Sequence, residues 1–458
     1  MIFSIILAAG EGTRMKSKLP KVMHKICGKP LLSHVINTAK ASGIDKNIVV
    51  IGKGGNTVMD TIKEDVFFVE QPMGEGVPYG TGFAVIQAKD YIEDHSHVII
   101  LYGDTPLITS NTIKNIIEFH KKGNYEATVL SADFDDPTGY GRIIRDQNGN
   151  VLAIVEHKDA NEQERDIKEI NSGIYCFNGK SLKLALDRLN NNNAQNEYYI
   201  TDAIKILNDL GLKVGGYKIQ DSEEILGINS RFQLSEAERI MRKRINNRHM
   251  DNGITMLNPD NTYIDDDVTI GRDTIIYPGA ILEGKTSIGE DCIIGQNSRI
   301  VDSIIGNKVD IQISTILESK VDDNAHIGPY AYLRPNSEIG KNVKVGDFVE
   351  VKNSKIDDNS KASHLSYIGD AYVGKGVNIG CGVVFVNYDG KKKHKTTVQD
   401  NAFIGCNVNL ISPVEVEEGA YIAAGSTITD KVPKDSLSIA RAKQVNKEGW
   451  VAKKGLKK

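Results

Sequence analysis

The chain has 458 residues, enough for two or three domains that each bury a core. It is 40% hydrophobic and 25% charged, an ordinary soluble composition, and its net charge of −4 gives no electrostatic reason to expect nucleic acid or an anionic membrane surface. No stretch approaches the roughly 18 consecutive apolar residues of a membrane span, and the five scattered cysteines (Cys27, Cys176, Cys292, Cys381, Cys406) form no CxxC or Cys/His cluster, which favours a reducing cytosol without disulfides or structural zinc.

The opening run Met1–Gly10 is apolar, lacks a basic leader and leads straight into a glycine-rich motif, so it reads as a buried first strand and not as a signal peptide. Apolar runs at 48–51 and 98–101 alternate with helical stretches at 31–42 and 111–122. Short buried strands alternating with helices predict a mostly parallel sheet covered on both faces, spanning residues 1–229.

After the first strand comes Leu7-Ala8-Ala9-Gly10-Glu11-Gly12-Thr13-Arg14-Met15, then Leu19-Pro20-Lys21. A glycine-rich turn at the carboxyl end of a parallel strand is where an α/β sheet binds nucleotides, because backbone N–H groups can approach phosphates with no Cβ in the way. The spacing is neither the dinucleotide GxGxxG nor the Walker lysine loop, which weakens hydride transfer and P-loop hydrolysis. Arg14 and Lys21 add two cations placed to meet a triphosphate. Tyr102-Gly103-Asp104 follows a hydrophobic strand, where a carboxylate can hold Mg²⁺ against the nucleotide. The plainer alternatives are that Asp104 caps a helix and Asn171 serves a turn.

Residues 230–250 are rich in helix formers and free of Gly and Pro, which predicts a linker helix. Beyond it, in a domain spanning 251–458, an aliphatic residue recurs at nearly every sixth position from Ile264 to Ile428: Ile264, Ile270, Ile276, Leu282, Ile288, Ile294 and Ile300, then after a slip Val321 to Val351, and later Val398 to Ile428. A period of six fits neither a helix nor a lone strand; it is the signature of a parallel β-helix, whose coils of about 18 residues would number about nine here. Residues 386–397 break the rhythm and must form a loop thrown out of a coil. Within the repeats, Arg334, Lys352 and His364 recur about one coil apart and can converge on one groove, two fixed cations suiting a sugar phosphate and the histidine a general base. The basic tail ending at Lys458 is expected to fray.

The front motif, with Gly139-Tyr140-Gly141-Arg142, Val155-Glu156-His157-Lys158, Asn171-Ser172-Gly173, Glu197-Tyr198-Tyr199-Ile200-Thr201 and Gly227-Ile228-Asn229 in order, resembles the sugar-nucleotide pyrophosphorylases, and the back half resembles the hexapeptide acyltransferases. Together they are similar to one family over essentially the whole chain: the bifunctional N-acetylglucosamine-1-phosphate uridyltransferase/glucosamine-1-phosphate N-acetyltransferases. The resemblance implies an α/β nucleotidyltransferase followed by a left-handed parallel β-helix, a homotrimer in the cytoplasm, and Mg²⁺ with UTP and acetyl-CoA as co-substrates. It implies that glucosamine 1-phosphate is acetylated and that the resulting N-acetylglucosamine 1-phosphate receives the uridylyl group, giving UDP-N-acetylglucosamine for cell-wall polymers. Arg14 and Lys21 would then act on the phosphates; Leu7, Ala8, Ala9, Gly10, Gly12, Gln71, Gly80, Thr81, Tyr102 and Gly103 would hold the nucleotide; Gly141, Glu156, Asn171 and Thr201 the sugar; Asp104 and Asn229 the metal. In the back half His364 would be the base, Arg334, Lys352, Tyr367 and Asn378 would bind the sugar phosphate, and Cys381, Asn387, Tyr388, Lys393, Cys406, Ala424 and Arg441 would meet acetyl-CoA. The segment 70–82 is longer than the family's usual Q-x-x-Q-L-G-T, and Cys381 and Cys406 stand where small residues are common, which points to packing and not to nucleophilic catalysis. Two other readings are a pyrophosphorylase whose β-helix only assembles or regulates, and a non-enzymatic scaffold with both folds.

Overall fold

The computed structural model describes residues 1–456 and separates into two compact units, Met1–Met241 and the residues from Arg242 on. The main-sheet strands of the first unit and four of its helices are β1 (Ile2–Ala8), α1 (Leu31–Ala41), β2 (Lys46–Ile51), β3 (Phe67–Glu70), α2 (Thr81–Gln87), β4 (His97–Tyr102), α3 (Ser110–Lys122), β5 (Ala127–Asp133), β6 (Arg142–Arg145), β7 (Val151–Val155), β8 (Glu169–Asn178), α4 (Asp202–Asp209) and β9 (Val214–Lys218). Its nine-stranded sheet has the order β9-β5-β8-β4-β1-β2-β3, with β6 on β8 and β7 on β6. The run β3-β2-β1-β4 is parallel, as the alternation of strands and helices predicts, whereas β8 lies antiparallel to both β4 and β5, so the complete sheet is mixed. A strand that enters from a β-hairpin, as β8 does after β6 and β7, need not keep the direction that helical crossovers impose.

Strand β1 shows why its sequence carries no polar alternation. Ile5, Leu7 and Ala9 join the hydrophobic core on one face of the sheet, and Ile6 and Ala8 the core on the other. Register then levels the strand ends: Leu7 pairs with both Val50 and Tyr102, so the turns beginning at Ala9, Gly52 and Gly103 open on the same edge. That edge, outside the carboxyl ends of parallel strands, is where this kind of sheet offers a crevice.

The helix α5 (Arg231–Asp251) spans the boundary of the two units. In the first unit its Ala237 and Ile240 pack with Ile26, Leu31, Leu107 and Ile228; in the second its Asn246 amide donates to the carbonyls of Pro259 and Thr262 at 2.7 and 3.0 Å.

From Thr255 to Ser438 the chain climbs as a three-sided parallel β-helix whose faces hold eleven, ten and nine strands among the described residues, about ten coils. Aliphatic side chains stack inward, one ladder running Ile276, Ile294, Ile311, Ile327, Val345, Ala362, Ile379, Ile404 and Ile422. The slip in the six-residue rhythm comes from shorter coils: Ile294 pairs with Ile311, one residue sooner than a full coil would place its partner. Corners need left-handed backbone, and Asp291, Asn324, Asn342 and Asn359 supply it at φ of 58°, 59°, 57° and 62°. Asn and Asp tolerate that conformation better than other side chains do. The tail carries an exposed helical turn, Trp450–Lys453, where fraying is expected; Lys457 and Lys458 lie outside the described residues. Among the described residues no helix is long and apolar enough to cross a membrane.

Candidate active sites

A cavity of about 420 Å³ opens at the carboxyl edge of the first unit's sheet, lined by Leu7 to Gly10 and Lys21, by Gln71, Gly80 and Thr81, by Tyr102 and Asp104, and by Gly141, Glu156, Asn171 and Asn229. Glycine is required at two of its turns. Gly12 has φ of 64°, and a Cβ there would stand 2.6 Å from Lys21 Cβ, so the GxG turn and the later lysine are in direct contact. Gly80, at φ of 118°, lies so close to the backbone of Tyr198 that a Cβ would meet its carbonyl oxygen at 2.4 Å. Around it the Tyr198 N–H donates to Tyr79 O at 2.8 Å, and the Ile200 N–H to Thr81 Oγ1 at 3.1 Å.

At the cavity mouth the Lys21 ammonium touches the Asp104 carboxylate and donates to Asn229 Oδ1 at 3.0 Å. Two oxygens from distant parts of the chain thus converge on one cation. Among the described residues no three His, Cys, Asp or Glu side chains gather into a metal cage; an oxygen pair facing an open cavity is the arrangement for a hard divalent ion that completes its shell with phosphate and water. Deeper in, burial raises the pKa of the Glu156 carboxyl, opposed by the Thr201 hydroxyl, which donates to Glu156 Oε1 at 3.3 Å. The Asn171 amide donates to the Tyr175 hydroxyl at 2.7 Å, and its N–H reaches Gly141 O at 2.9 Å.

On the β-helix, Arg334 donates to Glu350 at 2.8 Å, and Glu350 pairs in register with Tyr367 on the next coil. Lys352 reaches Asp370 at 3.1 Å, and the Asn387 amide joins Asp370 Oδ2 at 2.6 Å to the Tyr367 hydroxyl at 3.3 Å. The ejected loop folds back through a bridge between Tyr388 and Lys393, and there the adjacent Lys352 charge holds the Lys393 ammonium below the usual lysine range. An anion bound beside Lys352 and Lys393 would relieve that repulsion on Lys393.

The His364 ring stands on a different corner, its Nδ1 2.5 Å from Asp347 Oδ1 on the preceding coil. Cys381, Cys406 and Ala424 continue that corner upward, and Arg441 donates to Ala424 O at 2.7 Å.

Along 99% of its length this chain is 59% identical to the bifunctional protein GlmU of Clostridioides difficile, of which 98% is covered. The chain belongs to the GlmU family of bifunctional proteins. GlmU proteins of Alkaliphilus metalliredigens and Clostridium acetobutylicum are each 56% identical over 99% of this chain and 99% of their own. Residues 3–221 match the nucleotidyl transferase family model, 267–302 and 395–430 the bacterial transferase hexapeptide model, and 315–388 the GMPPB C-terminal domain. The β-helix is therefore of the left-handed hexapeptide class. A UDP-glucose pyrophosphorylase solved with UDP-glucose aligns over 53% of this chain and all of its own at 20% identity, with a TM-score of 0.45.

Set against this GlmU-family architecture, the residues singled out from sequence divide between the front cavity with its surroundings and two separate parts of the β-helix. Most of the front set lines the cavity, including Gln71 despite the longer 70–82 segment. Gly12, Gly103 and Thr201 sit directly behind the lining, whereas Arg14 lies outside it on the exposed turn Thr13–Met15. In the back set Arg334, Lys352, Tyr367, Asn387 and Lys393 come together, but His364 belongs to another corner of the same coil. The reason is hexad phase: Arg334 and Lys352 directly follow Leu333 and Val351 on one face, while His364 follows Ala362 of the neighbouring face by two. Asn378 lies on that neighbouring face, paired with Lys361 and Phe403. The sequence motifs include Glu197 and Tyr199 but assign no role to them or to Tyr79 in the cavity, nor to Asp347, whose offset of one coil from His364 was the available signal.

Proposed function

We propose that this chain catalyses two consecutive transfers: the acetyl group of acetyl-CoA to the 2-amino group of glucosamine 1-phosphate, then the uridylyl group of UTP to N-acetylglucosamine 1-phosphate with release of pyrophosphate. The observation that carries this reading is that both side-chain clusters stand in one chain matched end to end by relatives named bifunctional.

For acetyl transfer, the neutral 2-amino group attacks the thioester carbonyl, the C–S bond breaks to release the coenzyme A thiol, and the nitrogen sheds a proton. With Nδ1 engaged by Asp347, His364 presents the lone pair of Nε2 as the base, and its 2.5 Å contact fixes the ring. Arg334 and Lys352 hold the phosphate, Tyr367 and Asn378 the sugar. Asn387, Tyr388, Lys393, Cys381, Cys406, Ala424 and Arg441 receive acetyl-CoA. Because the phosphate-binding cluster and His364 occupy different corners, the complete site draws on neighbouring subunits, which accords with a homotrimer.

For uridylyl transfer, the sugar-phosphate oxygen displaces pyrophosphate from the α-phosphate in line, a reaction governed by positioning and charge neutralisation. Backbone N–H groups of the Leu7–Gly12 turn, Lys21 and Arg14 meet the phosphates; Gln71, Gly80, Thr81, Tyr102 and Gly103 hold the nucleoside; Gly141, Glu156, Asn171 and Thr201 hold the sugar. Asp104 and Asn229 would hold Mg²⁺, whose chemistry there is neutralisation of phosphate charge. The low net charge, the free thiols and the lack of a spanning helix among the described residues support a cytoplasmic enzyme.

The test is a mass-spectrometric assay of purified protein with Mg²⁺, UTP, acetyl-CoA and glucosamine 1-phosphate. His364→Ala should block only acetylation, and Asp104→Ala or a chelator should stall the reaction at N-acetylglucosamine 1-phosphate. Turnover only of pre-acetylated sugar would reduce the β-helix to a scaffold.

A further inference from the structure

The corner that carries His364 presents one residue from each successive coil: Asp347, His364, Cys381, Cys406 and Ala424. Asp347 pairs with His364 in register, and the N–H groups of Gly382, Asn407 and Gly425 donate to the carbonyls of Leu365, Cys381 and Cys406 at 3.1, 2.8 and 2.8 Å. Cys381 and Cys406 are far apart in sequence only because the 387–395 loop is thrown out between them. In their hexads they hold the same place, two residues after Ile379 and Ile404, which are register partners. Side chains at one hexad position on adjacent coils leave the backbone in the same direction. Cys406 is exposed and Cys381 half-buried, while Cys27, Cys176 and Cys292 are buried. Neighbouring strands lie about 4.8 Å apart, within the roughly 4.4–6.8 Å between Cα atoms that a disulfide spans, and closure draws the two Cβ atoms together to about 3.5–4.5 Å.

We propose that Cys381 and Cys406 are a modification site, an accessible dithiol that a small-molecule disulfide oxidises to an intrachain bridge, and that the bridge closes the corner to acetyl-CoA. The second half rests on the acetyl-CoA reading of this column; the first does not. In the reaction one thiolate attacks the small disulfide, forming a protein mixed disulfide and releasing one small thiol. The other cysteine then attacks the protein-bound sulfur and releases the second. Two protein thiols are oxidised, one small disulfide is reduced to two thiols, and added dithiol reverses the change. Coenzyme A disulfide is a suitable oxidant because it carries the adenosine diphosphate and pantetheine parts of the ligand read for this column.

Reduced full-length protein is incubated with coenzyme A disulfide and analysed by non-reducing intact mass, peptide mapping and both transfer assays. The expected result is a loss of two hydrogen masses mapped to Cys381–Cys406 and a fall in acetyl transfer of about tenfold or more. Dithiothreitol should restore that activity, and uridylyl transfer should not change. Cys381→Ala and Cys406→Ser, each compared with its own reduced form, should stop at a coenzyme A adduct on the remaining cysteine. Adducts on both cysteines without closure, or a bridge mapped elsewhere, overturn the dithiol. A Cys381–Cys406 bridge with acetyl transfer unchanged overturns the blocking. If the bridge forms in a protein whose reduced form never transfers acetyl, the dithiol stands and the proposed acetyltransferase function falls.

Discussion

Replacing Asp347 tests the assignment of His364 more sharply than replacing the histidine itself. The contact at 2.5 Å is a hydrogen bond to an ionised acceptor, a class that contributes about 1.5–3 kcal/mol. The His364 side chain is 57% exposed and that of Asp347 35%, so solvent screening puts the value near the lower end, about 1.5 kcal/mol, or roughly tenfold in rate. Asp347→Ala should lower kcat/KM for acetyl transfer by about that factor by freeing the ring. Asp347→Asn should cost more, because its amide can donate to Nδ1 and hold the tautomer in which Nε2 carries the hydrogen and cannot accept one. The measurement is steady-state acetyl transfer followed by thiol release, with uridylyl transfer as an internal control of folding. Both variants within twofold of wild type, or Asn better than Ala, would refute the view that Asp347 orients a base.

Gly12→Ala places a methyl group 2.6 Å from Lys21 Cβ in a left-handed turn, so uridylyl transfer should be lost while acetyl transfer persists in the same preparation. Glu156→Gln keeps the shape of a buried, Thr201-bonded side chain but removes its charge; KM for N-acetylglucosamine 1-phosphate should rise by about tenfold or more, with KM for UTP little changed. Burial holds His120 neutral, with its pKa down at about 4 against an ordinary 6.5, its ring nitrogens facing Thr128 at 2.9 Å and Asn178 at 3.2 Å. Unfolding therefore takes up a proton below pH 6.5, and stability falls as pH drops from there toward 4 by on the order of 3 kcal/mol. Urea unfolding of His120→Gln followed by circular dichroism should lose correspondingly less between pH 7 and about 4.5; an unchanged pH slope would contradict it.

Periodicity and close-range chemistry make much of this protein legible in its sequence. A six-residue aliphatic repeat points to a parallel β-helix, and Gly10, Gly12 and Lys21 lie within one short segment that folds back on itself, so that Gly12 and Lys21 touch. What the linear order could not give was relations between strands and between corners. The antiparallel direction of β8 depends on how the β6–β7 hairpin returns to the sheet. The meeting of Lys21, Asp104 and Asn229 joins segments that only the sheet registers bring level. His364 reads as a companion of Arg334 and Lys352 in the sequence, but Lys352 has Gly369 as its register partner one coil on, and His364, five residues earlier, ends the strand of the preceding face. The same coil geometry pairs it with Asp347 and sets Cys381 against Cys406 across the ejected loop, because in a solenoid contact follows the height of a coil and its corner, not distance along the chain.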